Sequence, residues 1–334
     1  MKALRMGLVG VVVSWAAATG GGAGIGVSTA GAAPLPVSSL AQVWSEPAAG
    51  YGFLSAAIER AHTSIDLSMY EFEDAAIERD LVARAAAGVD VRVILDSAYH
   101  GASENASAAR VLSAGGVHVV WASTAQIFHA KYLVVDRTSA YIGTGNLVAS
   151  EYSSTRDFWV LDDVAGDVAA IVATFNADFT GTPGAGVASN GLVWSPGSTG
   201  ALVALISSAH HSLLIENEEM ASPAIEAALS AAAHRGVDVE VVMTSDSEWD
   251  TALAALVRAG VHVRLLDYSQ LYIHAKVICA DCTARSGTAF VGSENFSTAS
   301  LAYNRELGVL TRTLRVVRAV RNDVIADGRI GRAL

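Results

Sequence analysis

The chain has 334 residues, 52% of them hydrophobic and only 16% charged. That is enough apolar mass for one large core or two fused ones, and it excludes a disordered or coiled-coil chain. The formal net charge of −11 opposes binding along a polyanion, although a local basic cleft could override the far field.

The chain opens with Lys2 and Arg5, a short apolar run over residues 7–18, and a small-x-small site at Ala30-Gly31-Ala32. This layout predicts a secretory signal peptide over 1–32, cleaved near Ala32, and hence a secreted protein. An uncleaved anchor is the alternative, although the run is short and rich in Gly and Ala for a membrane span. Losing two basic residues with the leader gives −11 − 2 = −13 for the remainder.

Beyond the leader the chain is written twice. Val43-Trp44-Ser45 recurs as Val193-Trp194-Ser195, and Gly88-Val89-Asp90-Val91 as Gly236-Val237-Asp238-Val239. His129-Ala130-Lys131 recurs as His274-Ala275-Lys276. Residues 33–180 read as a first repeat, 181–191 as a Gly-rich linker and 192–334 as a second repeat. In the first repeat the pattern predicts helix over 53–61, strand over 64–70, helix over 75–87, strand over 89–95, helix over 106–114 and strand over 117–120. Gly88 and Gly236 stand where helices should stop. Such alternation predicts an α/β sandwich with a largely parallel sheet. After His129 two strand-like runs share a short turn, so a hairpin makes the sheet mixed.

The chemistry gathers around the repeated His-x-Lys. In the first copy Asp136 follows Lys131 after four residues, and Gly143-Thr144-Gly145-Asn146 follows after six more. In the second, Asp281 follows Lys276 after four, and Gly292-Ser293-Glu294-Asn295 after ten. Residues i and i+2 of a strand share a face, so each His projects with its Lys. Gly143 and Gly145 would let backbone approach an oxyanion. The hydroxyls of Thr144 and Ser293 and the amides of Asn146 and Asn295 are neutral donors to it. Asp157 and Glu306 lie eleven residues beyond Asn146 and Asn295, each after an Arg (Arg156, Arg305) and each opening a strand-like run. The only lysines are Lys2, Lys131 and Lys276, so a chain that otherwise uses Arg places its compact ammonium groups in these motifs.

Other features keep two readings. Asp136 and Asp281 are catalytic or turn-forming. His118 and His262 repeat without a Lys and read as structural. Glu216, Glu218 and Glu219 rim a pocket or form a solvated edge, and Glu294 would repel a polyanion. Cys279 and Cys282, the only cysteines, form a redox pair, half a zinc site or a short disulfide; in an exported protein the disulfide is expected. No metal-ligand cluster is found, and no metal or cofactor is expected.

Both copies resemble the HxKxxxxD…GSxN signature of the phospholipase D superfamily, and the whole resembles a secreted bacterial-type phospholipase D-like protein. Thr144 in place of Ser and the four extra residues before Gly292 are its departures. The resemblance implies two tandem α/β sandwich repeats with mixed, largely parallel sheets, facing each other across a pseudo-twofold around one active site. It implies a metal-independent phosphodiesterase that forms a phosphohistidine, with His129 as nucleophile and His274 as acid. Lys131, Lys276, Thr144, Asn146, Ser293 and Asn295 would hold the phosphate, and Asp157 and Glu306 would orient the histidines. The expected substrate is a phospholipid head-group diester, met by transient contact of a monomer with a membrane surface, with transfer to alcohols. A nuclease is the alternative, disfavoured by the acidic charge.

Overall fold

The computed structural model describes residues 34–98, 101–282 and 287–334; the expected leader lies outside them. Within Leu35–Leu334 both repeats belong to one compact unit.

Helices stop at the marked glycines. Gly88 and Gly236 take φ of 88° and 85°, left-handed values that glycine adopts without penalty. They end the helices Ala75–Ala86 and Pro223–His234 and turn the chain into the strands Asp90–Leu95 and Asp238–Thr244. The start of Ala75–Ala86 is fixed by Asp74, whose carboxylate accepts from the Ala76 and Ile77 amides.

Each crossover helix returns the chain to a parallel neighbour, and each short turn to an antiparallel one. In the first repeat Ser64–Met69 lies parallel to Asp90–Leu95 on one side and antiparallel to Lys131–Val135 on the other. Lys131–Val135 then forms the expected hairpin with Ser139–Gly143. The seven-stranded sheet is mixed, and five of its strands run one way; Lys131–Val135 and Phe158–Asp162 oppose them. The second repeat builds the same order around Ser212–Glu216 and gains an eighth, edge strand at Arg332–Ala333. Residues 180–191, between the helix Ala165–Phe179 and the strand Leu192–Ser195, hold no helix or strand. Cys279 and Cys282 are joined by a disulfide at the end of Val277–Ala280.

Two further helices, Ala165–Phe179 and Leu314–Ile330, feed the central core between the two sheets. They contribute Val168, Ile171 and Phe175 from one repeat and Val316, Val320 and Val324 from the other. The remaining apolar residues form one outer core per repeat. Across the centre the repeats exchange backbone and charge. Tyr272–Ile273 pairs with Thr155–Arg156, and Phe128 bridges Arg305 in the equivalent place. Arg156 binds Asp327 at 2.6 Å, and Arg305 binds Asp178 at 2.9 Å, each crossing to the other repeat.

Candidate active site

The hairpin in each repeat starts at its His-x-Lys motif, and the other repeat supplies the segment against which that motif lies. The amides of His129 and Ala130 both donate to the Arg305 carbonyl at 2.9 Å. This places Glu306, the next residue, beside the ring: His129 Nδ1 is 2.9 Å from Glu306 Oε2. The reciprocal contact joins His274 Nδ1 to Asp157 Oδ1, also at 2.9 Å. Each histidine is therefore held by the acid of the other repeat. In a neutral ring whose Nδ1 donates to a carboxylate, Nε2 carries the free lone pair.

Burial, which outweighs the opposing pull of Glu306, brings the His129 imidazole down to about 4, with Lys131 and Lys276 adding to the fall. Burial would raise the Glu306 carboxyl, but the bonded His129 ring and Lys131 prevail and hold it below its ordinary value. The pair is thus a neutral imidazole on a carboxylate. Lys131, fully buried, is lowered to about 7 by burial and then by Lys276. Its ammonium donates to the His129 carbonyl at 2.6 Å and lies 4.9 Å from the centre of the Tyr70 ring, which also meets His129 edge-on. Lys276, equally buried, donates to the His274 carbonyl and is 2.8 Å from Glu218.

Asn146 and Asn295 bring their side-chain amides to the same place. Their Nδ2 atoms donate to Glu71 at 2.8 Å and to Glu218 at 3.2 Å, while both Oδ1 atoms are buried without a hydrogen-bond partner.

Several expected roles are corrected. Asp136 and Asp281 are not beside the histidines. Asp136 lies at the far end of Lys131–Val135, five residues or about 16 Å along the strand. It accepts from the amides of His62, Thr63 and Ser64, as Asp281 does from His210, His211 and Ser212. Both take positive φ, 51° and 52°, so these are turn residues that tie the hairpin to the preceding strand. Thr144 and Ser293 do not offer hydroxyl protons to a ligand; they donate them to Asp157 and Glu306 and accept from the Phe158 and Leu307 amides. The space beside Gly143 and Gly145 is likewise taken by protein. A Cβ at 145 would lie 2.4 Å from the Tyr51 hydroxyl and 2.8 Å from the Asp157 carboxyl, so glycine there makes room for the orienting acid.

The acidic residues also divide differently. Glu294 is fully buried and faces no polyanion; burial pushes its carboxyl well above the ordinary range, with Glu306 adding to the rise. Glu216 is buried in its strand and is likewise pushed up by burial, then by Asp327. Glu218 alone of the three at 216–219 bonds the motif residues. His118 and His262 are exposed, 3.8 and 3.6 Å from Asp90 and Asp238. Of the two readings offered for Glu218 the pocket rim is the one its contacts fit; Tyr272, whose hydroxyl donates to Glu218, was not assigned a role by sequence, and its position two residues before His274 was its only signal. Among the described residues no group of three or more His, Cys, Asp or Glu could hold a metal ion.

Two mixed-sheet repeats that share a paired His-Lys-Asn site define a duplicated α/β fold. A family described as "Cardiolipin synthase, PLD-like domain" matches residues 54–180 and again 202–327, more than half of the chain. The chain belongs to this phospholipase D superfamily. Cardiolipin synthase A of Pseudomonas putida (strain GB-1) is 28% identical over 311 residues, covering 79% of this chain and 63% of that protein. The chain therefore spans less than two thirds of this curated relative. Phosphatidylserine synthase from Haemophilus influenzae has the same fold, with a TM-score of 0.67 at 13% identity over 90% of this chain and 89% of that one. Polyphosphate kinase from Porphyromonas gingivalis gives 0.69 at 15% identity over 86% and 47%. The secreted localisation expected from the leader is overturned by the Pseudomonas relatives, which are named cardiolipin synthase A, for synthesis of a membrane lipid. The leader itself lies outside the described residues, and among those residues no helix is long and apolar enough to cross a membrane.

Proposed function

We propose that the protein acts on phospholipid phosphodiesters through a phosphatidyl-histidine and passes the phosphatidyl group to an alcohol or to water. The observation that carries this reading is the reciprocal pairing of each histidine with the other repeat's acid, His129 with Glu306 and His274 with Asp157.

His129, neutral and with its proton fixed on Nδ1, attacks phosphorus through Nε2. His274, entering the step as the imidazolium with Nδ1–H on Asp157, donates its Nε2 proton to the leaving alkoxide; an incoming hydroxyl then gives its proton to that Nε2 as it displaces His129 from phosphorus. Lys131, Lys276, Asn146 and Asn295 supply donors to the phosphoryl oxygens as negative charge builds on them. Any small hydroxyl that reaches the intermediate can resolve it, and the name of the cardiolipin synthase relatives favours an alcohol acceptor.

The test is a side-by-side assay. Purified protein is given phosphatidylglycerol vesicles, phosphatidylcholine vesicles with and without a primary alcohol, and single-stranded DNA. Phosphatidyl transfer to alcohol, with head-group release in its absence, is expected, and chelator should leave both intact because the lysines supply the charge. Cleavage of DNA with no phospholipid product would replace this reading with a nuclease.

A further inference from the structure

We propose that Glu218 is an internal competitor of the substrate phosphate: its carboxylate fills the oxyanion position of the second half-site and must leave before a phosphodiester binds. The inference rests on the phosphoryl-transfer reading above and deepens it.

The geometry is that of a bound anion. Glu218 Oε2 lies 2.8 Å from Lys276 Nζ, 3.2 Å from Asn295 Nδ2 and 3.6 Å from His274 Nε2, and Oε1 accepts from the Tyr272 hydroxyl. The first three are the ammonium, the amide and the imidazole nitrogen that a phosphoryl group and its leaving oxygen would use. A carboxylate and a phosphodiester each bring a negative charge and a pair of oxygens, so these donors cannot serve both at full strength.

The surroundings suit an exchange. Lys276 has no exposed side-chain surface, so its charge needs an anion beside it whether or not substrate is present. The Glu218 side chain is 23% exposed, so part of it already meets solvent. Its backbone is held by Asn217, whose side chain donates to the Glu294 carbonyl and accepts from the amides of Glu219 and Phe296. Displacement is therefore a side-chain rotation about a fixed turn. In this account Glu218 keeps the ammonium paired in the empty site and sets a threshold that only a ligand with a better-placed anion passes. In the first half-site Glu71 accepts from Asn146 in the corresponding way.

The experiment is calorimetric binding of inorganic phosphate to the full chain, which needs no turnover. Glu218→Gln and Glu218→Ala, each checked for folding by circular dichroism, should bind phosphate about tenfold or more tightly than wild type, because a like charge has left the donors. Two variants are used so that a folding failure in one leaves the other. If Glu218 is only a structural counter-ion, the variants lose thermal stability and gain no phosphate affinity, and the proposal is overturned. Absence of phosphate binding in a variant that circular dichroism shows to be folded overturns it equally. Adding Lys276→Ala to Glu218→Gln separates the two readings. Loss of the gained affinity places the anion on Lys276, whereas unchanged affinity means that phosphate binds elsewhere and the phosphoryl-site reading itself fails.

Discussion

At His129 and Lys131 burial sets both the chemistry and its pH range. The imidazole, brought down to about 4, is neutral above that pH, the form that the proposed attack on phosphorus requires. The ammonium, brought down to about 7, is a cation only below that pH. The kcat/KM of the free enzyme should rise through about pH 4 and fall through about pH 7. A pH profile on a soluble phosphodiester checks this, and a falling limb at pH 9 or above would contradict it. Asp136 gives an independent test, because it has moved from a candidate catalyst to a turn. Burial opposes its ionisation, but the amides of Thr63, His62 and Ser64 prevail and bring the carboxyl down to about 2. With the folded value below the unfolded one of about 3.9, its stabilisation is present above pH 4 and is lost as pH falls through 2. Asp136→Asn should leave kcat unchanged and cost about 1 kcal/mol at neutral pH, a difference that closes near pH 2. A large fall in kcat with unchanged unfolding would return Asp136 to the site. The residue types and spacing of the His, Lys, Asn and acid positions were legible in the sequence because they repeat. Where a hydroxyl proton goes depends on how the chain folds back an acid 13 residues on, and which end of a strand an Asp occupies relative to the pocket depends on partners 73 and 69 residues away; no spacing shows either.

Among elements, the strands and crossover helices followed from periodicity and glycine, and their observed bounds lie within a few residues of the expected ones: Gly52–Glu59, Ser64–Met69 and Ala106–Ala114 are examples. The helices Ala165–Phe179 and Leu314–Ile330 were not placed, although Val316, Val317, Val320 and Val324 have helical spacing. Local pattern could reveal such a helix but not its place between two sheets. Nor could it show that Arg156 and Arg305, noted only as neighbours of the acids, reach those helices from the opposite repeat. Each guanidinium is buried against a single helix carboxylate, Asp327 or Asp178. Removing one member of such a pair leaves an uncompensated buried charge. Asp178→Ala should therefore destabilise the fold by about 3 kcal/mol in urea unfolding, and Arg305→Ala by a similar amount. The double variant should lose less than the sum, since neither charge then remains alone. Additive losses would mean that Arg305 and Asp178 do not act as a pair.

For the whole molecule, the exchange of partners across the centre decides how many active sites there are. If each repeat carried its own His, Lys and acid, two half-strength sites would result, and loss of one histidine would leave about half the activity. Instead Glu306 holds His129, and Asp157 holds His274. The same exchange extends to the backbone, with Thr155–Arg156 on Tyr272–Ile273 and Arg305 on Phe128. Both lysines also act on one ring, since Lys131 and Lys276 each lower His129. On the proposed mechanism both repeats make one site, in which one histidine forms the covalent bond while the other handles the proton. His129→Ala and His274→Ala should then each lower phosphodiesterase activity on the order of a thousandfold, and the double variant little further, because groups that act as a unit are strongly non-additive. The two histidines differ in which step they serve. With an activated diester whose leaving group needs no proton, His274→Ala should still release one equivalent of leaving group per chain in a burst, and His129→Ala none. A burst from His129→Ala with none from His274→Ala would exchange the two roles, and half activity in either single variant would break the single-site account altogether.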